Sequence, residues 1–385
     1  MSEPAPDVVT LGETLVILAA APGPLVTATT LTKSIGGAES NVAIGLARLG
    51  LRVAALTRVG ADPFGAEIVR TLRAEGVGVA GIEVDPDRPT GLMVKERPTA
   101  DRANVYYYRA GSAAAALDAD GVQRAWDQLV APPRHVHLSG VTLALGAGPS
   151  AAVHRLLTLA ESAGAGVSFD ANHRRRLWDV EAFRRSCAPV AAAVGDLLVS
   201  DEEALALTGR APGAGDDEVR AALVELAGWG PRRVVVRRGA AGSWGSTPEG
   251  PVVEVPAVAA GPVVDVVGAG DAHTSGYLVE MLAPGSDAAG WSDLDLDLDL
   301  DLDLDLDPGA DTATAGRPAA GVATERLAAA ATERLAAAAT ERLAAAMATG
   351  SWVAGHVVAS LGDWEGLPDA AALARHRAGL RSHDR

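Results

Sequence analysis

Short apolar runs alternate with amphipathic stretches along most of the chain. Apolar runs of strand length occur at 53–59, 135–138, 166–170, 197–200 and 233–237. Periodically spaced apolar residues between or beside these runs predict helices near 65–75, 149–163, 201–207 and 216–227. Alternation of this kind is typical of a mostly parallel sheet with helices on both faces. The pattern therefore predicts an α/β fold.

Two stretches interrupt the alternation. Residues 7–33 and 82–110 consist of short strand-like segments joined by turns. An antiparallel sheet inserted between the units of a parallel sheet can cover a cleft at the carboxyl ends of the strands. We expect these two stretches to form such a lid.

The segment from about 286 to 338 is of low complexity. Within it, residues 293–307 alternate strictly between Asp and Leu, which favours a disordered acidic loop over a strand or a Ca²⁺ site. An Ala-Thr-Glu-Arg-Leu-Ala-Ala-Ala octad then occurs three times over 323–346. These residues form helices well, but eight residues advance about 80° beyond two turns, so the three leucines cannot share one buried stripe. We interpret the octads as repeat expansion, with only the last copy and 347–358 supplying a helix and a strand of the fold.

Composition narrows the class of protein. The 385 residues carry a net charge of −16, to which the aspartates of the Asp-Leu run contribute eight negative charges. Because no basic cluster offsets this charge, a nucleic-acid partner is not expected. A single cysteine, Cys187, excludes an internal disulfide and fits a cytoplasmic protein. The sequence contains no uncharged apolar stretch of about 20 residues, so we expect no membrane span.

The most informative segment is 264–278, VDVVGAGDAHTSGYL. A β-rich run over 252–267 leads into the turn Gly268-Ala269-Gly270, and the residues from Ala272 to Met281 predict a helix. Glycines and a helix N-terminus present N–H groups to an anion such as a transferring phosphate. Asp271 would repel that anion as a ligand, but it fits a base that deprotonates an attacking hydroxyl. An N-cap role for Asp271 is the alternative.

A second glycine motif lies near the N-terminus. Gly36 and Gly37 enter a helix with apolar residues at 42, 46 and 49, and Gly50 ends it. Together, this GG…N…LARLG segment and the later D…GAGD segment resemble the PfkB-type (ribokinase-like) carbohydrate kinases. The turn is neither a P-loop nor a dinucleotide fingerprint, because no Lys-Ser/Thr follows it and His273 replaces the last glycine.

Further motifs are similar to the 2-keto-3-deoxygluconate kinase branch of that family. They begin at Gly12, Arg58, Pro89, Tyr107, Phe169 and Gly362. The resemblance implies one ribokinase-like domain over 1–385, a three-layer sandwich with a small β-sheet lid. It also implies ATP-dependent phosphorylation of a sugar acid, with Mg²⁺ as cofactor, a need for K⁺ left open, and a homo-oligomer. A kinase for a neutral sugar such as fructose, and a degenerate, non-catalytic sugar-binding protein, are the alternatives.

The resemblance assigns roles to residues of this chain. Asp271 is the base, and the backbone of Gly268, Ala269 and Gly270 stabilises the transferring phosphoryl group. Arg174 would contact substrate and phosphate, and Asp363 is a weaker candidate for a sugar contact. The residues expected to bind the sugar acid are Gly36, Gly37, Asn41, Tyr107, Arg109 and Arg174, together with Asp271.

The nucleotide site is expected on two other segments. Ser200 and Glu203 lie where the family has Asn-x-x-Glu, and Glu203 would hold Mg²⁺ through water. Arg237, Gly239 and Gly242 would lie along ATP, with hairpin packing as the competing role for their segment. Val266 and His273 depart from the family's Thr and Phe; we interpret His273 as a packing substitution.

Overall fold

The structure is a computed structural model that describes residues 5–99, 102–248, 250–283 and 319–383. The Asp-Leu run at 293–307 and the predicted loop around it therefore lie outside the described residues. No helix in the described ranges is both long enough and apolar enough to cross a membrane.

Two sheets organise the chain. The described strands are β1 (Val8–Leu11), β2 (Leu15–Ala20), β3 (Leu31–Gly36), β4 (Val53–Gly60), β5 (Ile82–Asp85), β6 (Leu92–Thr99), β7 (Arg102–Tyr108), β8 (His135–Ser139), β9 (Gly166–Asp170), β10 (Asp196–Ser200), β11 (Arg233–Arg237), β12 (Ser243–Ser246) and β13 (Val253–Val255). The large sheet has the order β13-β12-β11-β10-β9-β8-β1-β4-β5. Its strands pair in parallel from β11 to β5, and only β12 and β13 are antiparallel. The expected α/β class is confirmed.

Helices cover both faces of the large sheet. They are α1 (Ala38–Arg48), α2 (Pro63–Ala74), α3 (Ala119–Asp127), α4 (Gly140–Ala144), α5 (Ala147–Ser162), α6 (Val180–Ala193), α7 (Asp201–Leu207), α8 (Asp216–Ala227), α9 (Ala269–Met281), α10 (Ala319–Val358) and α11 (Ala370–His383). The strand period of two explains the two cores: Leu197 and Val199 of β10 pack with α3 to α8, whereas Leu198 packs with α1, α2, α9, α10 and α11. The three-layer sandwich follows directly from these apolar runs.

The second sheet is small and has the order β3-β2-β6-β7. It is narrower than the predicted lid ranges 7–33 and 82–110, because β1 and β5 pair within the large sheet. Strands β1 and β5 are only four residues long, and a run of that length does not show from its own sequence which of the two sheets it joins. The lid therefore consists of β2, β3, β6 and β7.

The β-rich run predicted over 252–267 is wrong beyond β13. Pro256 and Pro262 lack the N–H that a sheet ladder needs, and residues 256–267 form no strand. Instead, the N–H groups of Val264 and Asp265 donate to the carbonyl of Val358 at the end of α10 (2.7 and 3.3 Å). This segment therefore fixes the approach to the glycine turn.

The strand predicted within 347–358 is also wrong, because α10 continues through it. Met347, Val353 and Val357 recur at helical spacing and are fully buried. Gly350 lets α10 approach α9 closely, since a Cβ there would lie 2.7 Å from the carbonyl oxygen of His273. Close packing against α9 overrides the local preference of Val and Trp for strands.

The last octad belongs to the core, as expected. Leu343 is 1% exposed, and the Arg342 guanidinium donates to the carbonyl of Met281 (2.7 Å). In the second copy, by contrast, Glu333 and Arg334 are exposed. The octads form one continuous helix. Its third copy is anchored in the core, whereas none of the described side chains of the second copy, at 333–338, is buried.

Candidate active site

Asp271 lies in the first turn of α9 and is 6% exposed. Its Oδ2 accepts a hydrogen bond from Nδ2 of Asn41 in α1 (2.8 Å), so the two glycine motifs of the sequence meet at this carboxylate. Burial raises the pKa of Asp271 to about 7, while the Asn41 hydrogen bond and the charge of Arg174 act to lower it. A carboxylate with this pKa can accept a proton near neutral pH.

The turn before Asp271 has room only for glycine at its start. Gly268 has φ +80°, and a Cβ there would lie 1.9 Å from the carbonyl oxygen of Asp363. The N–H of Ala269 donates to the carbonyl of Val266 over 3.3 Å, a long bond that a stronger acceptor could replace. Together with Gly270, this turn opens a helix whose first N–H groups lack carbonyl partners within the helix.

A buried ion pair between Asp170 and Arg237 contacts the same turn. Both oxygens of Asp170, at the end of β9, accept from the Arg237 guanidinium (2.6 and 2.7 Å). The guanidinium also donates to the carbonyl of Gly270 (3.0 Å) and to Oγ1 of Thr274 (3.2 Å). Although burial alone would raise it, Arg237 holds the pKa of Asp170 below its usual value. Arg237 was predicted to contact ATP. In the structure, its guanidinium is paired with Asp170 and hydrogen-bonded to the start of α9.

Arg174 is exposed on the loop that follows β9. Its charge acts on Asp271, Asp170 and Asp363, which places it at the same corner of the site. In the described ranges it forms no ion pair. Arg174 is therefore the cation of the predicted set that is available to an anionic ligand.

Arg109 has a different environment. Its guanidinium forms an ion pair with the fully buried carboxylate of Glu13 and lies 5.1 Å from the ring centre of Tyr107. The side chains of Tyr106 and Tyr108 on the opposite face of β7 are exposed, so Tyr107 and Arg109 share the inner face as predicted. Glu13 also accepts from Oγ of Ser112 (2.9 Å). Glu13 lies in the motif that begins at Gly12, but no local pattern indicates its pairing with Arg109.

The Gly36-Gly37 corner is packed tightly against the turn after β1. A Cβ at Gly37 would lie 2.2 Å from the carbonyl oxygen of Glu13, and one at Gly36 would lie 3.1 Å from Oδ2 of Asp363. The next residue but one, Glu39, is 1% exposed and accepts from Oγ of Ser139 (2.7 Å) and Oγ1 of Thr142 (2.6 Å). These contacts fix the start of α1, and with it Asn41.

Asp363 and Lys95 form part of the same wall. Lys95 of β6 is 6% exposed, and its Nζ lies 2.6 Å from Oδ2 of Asp265 and 3.9 Å from Oδ1 of Asp363. Burial raises the pKa of Asp363 to about 6, against the lowering effect of the Lys95 charge. Neither Lys95 nor Asp265 was among the residues predicted from the sequence, because their pairing joins segments 170 positions apart.

Ser200 and Glu203 form a complete capping box at the start of α7. Oγ of Ser200 accepts from the N–H of Glu203 (3.2 Å), and Oε2 of Glu203 accepts from the N–H of Ser200 (2.7 Å). Oε1 of Glu203 also accepts from the N–H of His173 (2.7 Å), which ties the loops after β9 and β10 together. The carboxylate is thus rigidly placed, with lone pairs left for a metal-bound water. Across the described ranges, no cluster of three or more His, Cys, Asp and Glu forms a metal cage.

The segment from Arg237 to Gly242 is the turn of the hairpin that joins β11 to β12. The N–H of Arg238 donates to the carbonyl of Gly242 (2.8 Å), and Gly239 and Gly242 have φ +55° and +85°. The guanidinium of Arg238 lies 3.6 Å from the ring centre of Trp244. Hairpin packing explains both glycines locally; a Cβ at Gly239 would meet no atom within 4 Å, so the outer side of this turn is open.

The two departures from the family pattern lie on either side of the base. Val266 is 68% exposed, whereas His273 is 5% exposed and neither ring nitrogen has a hydrogen-bond partner. Burial lowers the pKa of His273 to about 3, so the ring is neutral. A buried, neutral imidazole without a hydrogen-bond partner supports the interpretation of His273 as a packing substitution.

The chain is similar in sequence to known proteins. A family model described as pfkB family carbohydrate kinase matches residues 5–293. A 2-dehydro-3-deoxygluconokinase from Thermoproteus tenax is 35% identical over 294 residues, covering 75% of this chain and 85% of that protein. A 2-dehydro-3-deoxygalactonokinase from Haloferax volcanii is 33% identical, covering 72% and 85%, and a fructokinase from Klebsiella pneumoniae is 32% identical, covering 65% and 78%.

Solved structures share the fold over nearly the whole chain. A PfkB protein from Polaromonas sp. JS666 superposes with a TM-score of 0.71 at 29% identity, covering 96% of this chain and 99% of that one. A putative ribokinase II from E. coli, in complex with ATP and Mg²⁺, gives 0.69 at 20% identity, covering 96% and 98%. A fructokinase double mutant from Vibrio cholerae O395, in its fructose-, ADP- and potassium-bound form, gives 0.68 at 21% identity, covering 97% and 99%.

Proposed function

Because the chain belongs to the pfkB family of carbohydrate kinases, we propose that it transfers the γ-phosphoryl group of ATP to the terminal hydroxyl of 2-keto-3-deoxygluconate. The product is 2-keto-3-deoxy-6-phosphogluconate. The family resemblance and the sugar-kinase activity inferred from the sequence are confirmed. Two relatives with more than 30% identity are named as kinases of 2-dehydro-3-deoxy sugar acids, which favours this substrate class.

The observation that carries the proposal is the buried carboxylate of Asp271 within the first turn of α9. It lies next to N–H groups that suit a phosphate, and Asn41 holds it in one orientation (2.8 Å). A carboxylate at that point is of little use for binding a phosphate but is well placed to deprotonate an attacking oxygen. The arrangement therefore supports phosphoryl transfer to a hydroxyl.

Each step follows from the residues of this corner. Asp271 takes the proton of the sugar hydroxyl as its oxygen attacks the γ-phosphorus, and the oxygen bridging the β- and γ-phosphates leaves with ADP. The backbone N–H groups of Gly268, Ala269 and Gly270 stabilise the charge on the phosphoryl oxygens. Arg237 acts as a positioning residue, because it joins Asp170 to the carbonyl of Gly270 and so fixes the turn.

The substrate carboxylate is assigned to Arg174. It has no ion pair within the described ranges, and a guanidinium can bind a carboxylate through two parallel hydrogen bonds. Gly36, Gly37, Asn41 and Tyr107 remain the proposed contacts of the sugar chain, with Asp363 behind them. Arg109 was predicted as a second carboxylate clamp, and its pairing with Glu13 leaves only its outer edge for a ligand.

ATP and Mg²⁺ complete the proposed reaction. The solved neighbour that holds both supports this assignment. Glu203 and Ser200 would orient the metal-bound water. Gly239 and Gly242 would lie along the nucleotide, and the turn is open at Gly239. The metal would neutralise charge on the phosphates during transfer. K⁺ is a third cofactor to test, since one fructokinase neighbour is described with potassium. A cytoplasmic, homo-oligomeric state stays a prediction.

A neutral-sugar kinase is the second candidate. The specific observation in its favour is the Arg109–Glu13 pair, which removes one of the two arginines expected to recognise an acid. The fructokinase relative at 32% identity points the same way.

An ADP-release screen over sugar acids, neutral sugars and nucleosides separates the candidates. We expect the highest kcat/KM with 2-keto-3-deoxygluconate, and a phosphorylated product of matching mass. A preference for fructose would establish the second candidate. ADP release with none of the sugars, by folded protein, would instead indicate a non-catalytic sugar-binding protein.

A further inference from the structure

The buried ammonium of Lys95 is not used by the reaction as described above. It is carried by lid strand β6 and reaches the segment immediately before the glycine turn, where its Nζ lies 2.6 Å from Oδ2 of Asp265. Both side chains are nearly inaccessible, at 7% and 10% exposure. Breaking a buried charge pair of this kind by removing one partner strongly destabilises a protein, because the other charge is left unpaired.

Asp265 is joined to the turn by its other oxygen. Oδ1 accepts from the N–H of Val267 (3.2 Å), and the backbone N–H of Asp265 donates to Val358 at the end of α10 (3.3 Å). Val267 precedes Gly268, the residue that packs against the backbone of Asp363. The orientation of the Asp265 carboxylate is therefore coupled to the conformation of the phosphate-binding turn.

The charges around the turn need compensation. Asp170, Asp265, Asp271 and Asp363 bring four carboxyl groups to a corner that must also accept the phosphates of ATP. Arg237 compensates Asp170, and the charge of Arg174 acts on Asp271. Lys95 lies between Asp265 and Asp363 (2.6 and 3.9 Å), so it is the fixed cation for the remaining pair.

A bound monovalent cation would be one way to supply positive charge to such a turn, and one fructokinase neighbour is described in a potassium-bound form. In this chain, the Asp265 carboxylate, which accepts from the N–H of Val267 just before the turn, is already paired with an ammonium at hydrogen-bond distance. A free cation would have to displace Lys95 or share the carboxylate with it. The residues present therefore fit a tethered cation better than an exchangeable one.

We propose that Lys95 is a positioning residue whose ammonium supplies, from the lid, the monovalent positive charge that holds Asp265 and the phosphate-binding turn, so that the kinase needs no added K⁺. The proposal rests on the proposed kinase function. This ion pair also joins the lid sheet to the segment before the turn.

The test compares wild type, Lys95→Ala and Lys95→Arg in KCl, NH₄Cl and tetramethylammonium chloride at equal ionic strength. Wild type should show the same kcat in all three salts. Lys95→Ala should lose at least about tenfold in kcat in tetramethylammonium, because it leaves a buried carboxylate unpaired. K⁺ or NH₄⁺ should restore that variant severalfold, and Lys95→Arg should stay close to wild type.

Lys33→Met is the matched control. Lys33 also lies in the lid and pairs with a carboxylate, that of Glu67 (3.1 Å), but its side chain is 44% exposed. Exposed pairs of this kind contribute little to stability. This variant should keep the wild-type kcat and salt response.

Melting temperatures provide a readout that does not depend on activity. K⁺ should raise the melting temperature of Lys95→Ala above its value in tetramethylammonium, and should leave wild type unchanged. Absence of any kinase activity in wild type would count against the proposed function, whereas the melting data would still test Lys95.

Three results would overturn the proposal. The first is activation of wild type by K⁺, a measurement that decides the matter even when no variant folds. The second is a wild-type kcat in Lys95→Ala without added cation. The third is a loss of kcat that neither K⁺ nor NH₄⁺ relieves, which would assign Lys95 to the stability of the fold alone.

Discussion

At the scale of single residues, the proposed role of Asp271 as the base makes the rate depend on the ionisation of its carboxyl group. Burial raises its pKa to about 7, and only the ionised carboxylate can accept a proton. We therefore expect kcat/KM to rise with pH and to level off above about pH 7. Asn41→Ala removes the hydrogen bond that stabilises the ionised form, so the rising limb should move to higher pH. A profile that is flat from pH 5 to 9 in wild type, at about constant KM, would contradict Asp271 as the base.

The two arginines of the predicted clamp should respond differently to truncation. Arg174→Ala removes the available cation, and we expect a loss of roughly 2–4 kcal/mol in kcat/KM for the sugar acid, with little change for neutral sugars. Arg109→Ala instead leaves the buried Glu13 unpaired, so its main effect should be a lower melting temperature. Glu13→Gln in the Arg109→Ala background should recover that stability. Steady-state kinetics on both substrate types and thermal melts check the assignment; an equal loss on acid and neutral sugars in Arg174→Ala would show that Arg174 serves the phosphates only.

The sequence predicts a site residue where the geometry around that residue is set by its own segment, and misses one whose partners lie far away in the chain. Asp271, the glycine turn and Asn41 each lie in a motif whose local geometry is set by glycines and a helix start. The partners of Arg109 and Arg237 come from β1–β2 and β9, and nothing in their own segments indicates them. The same holds for Lys95 and Asp265, which pair across 170 positions. Ion pairs between distant segments are properties of the fold, so one sequence alone does not reveal them.

At the scale of elements, the repeat helix provides the clearest test. Leu343 and Arg342 anchor the third octad to the core, whereas Glu333 and Arg334 of the second are exposed. Deleting 286–338, which includes the first part of α10, and inserting a short Gly-Ser bridge should leave kinetic constants within a few-fold of the parent, because none of residues 333–338 is buried. The closure cost of a loop changes by only about 0.6 kcal/mol per doubling of its length. The melting temperature should hold or rise. A deletion that also removes the third octad is the control and should not fold; a folded but inactive first deletion would mean that the segment reaches the active site.

The elements that the sequence predicts well are those with a long, consistent period. Strands β8 to β11 and helices α5, α7 and α8 are apolar at the spacing of their own type, and their positions agree with the prediction. The errors at 252–267 and 347–358 have one cause. Both segments contain valines that favour strands, but the first packs as an irregular chain on the end of α10 and the second packs as a helix on α9. In both segments, tertiary contacts determined the secondary structure.

At the scale of the whole molecule, buried neutral histidines should make the fold sensitive to acid. Burial lowers the pKa of His273 to about 3, and that of His135 and His137 to about 4 and about 3. Below their ordinary value of 6.5 the unfolded chain binds protons that the folded chain excludes, so the free energy of unfolding falls as pH falls from 6.5 towards 3. Denaturant unfolding near pH 7 and near pH 4.5 measures this loss. His273→Phe should reduce it by about 2 kcal/mol; an unchanged pH dependence would show that His273 is protonated in the folded state.

The central proposal is that Asp271 is the base of an ATP-dependent sugar-acid kinase. The most direct measurement is turnover of 2-keto-3-deoxygluconate with ATP and Mg²⁺ by wild type and Asp271→Asn, with the phosphorylated product identified by mass spectrometry. Asp271→Asn preserves shape and removes the proton acceptor, so kcat should fall by at least about 100-fold while substrate binding and the melting temperature change little. A purified, folded Asp271→Asn protein that forms the 6-phospho product at a near-normal rate would contradict the account.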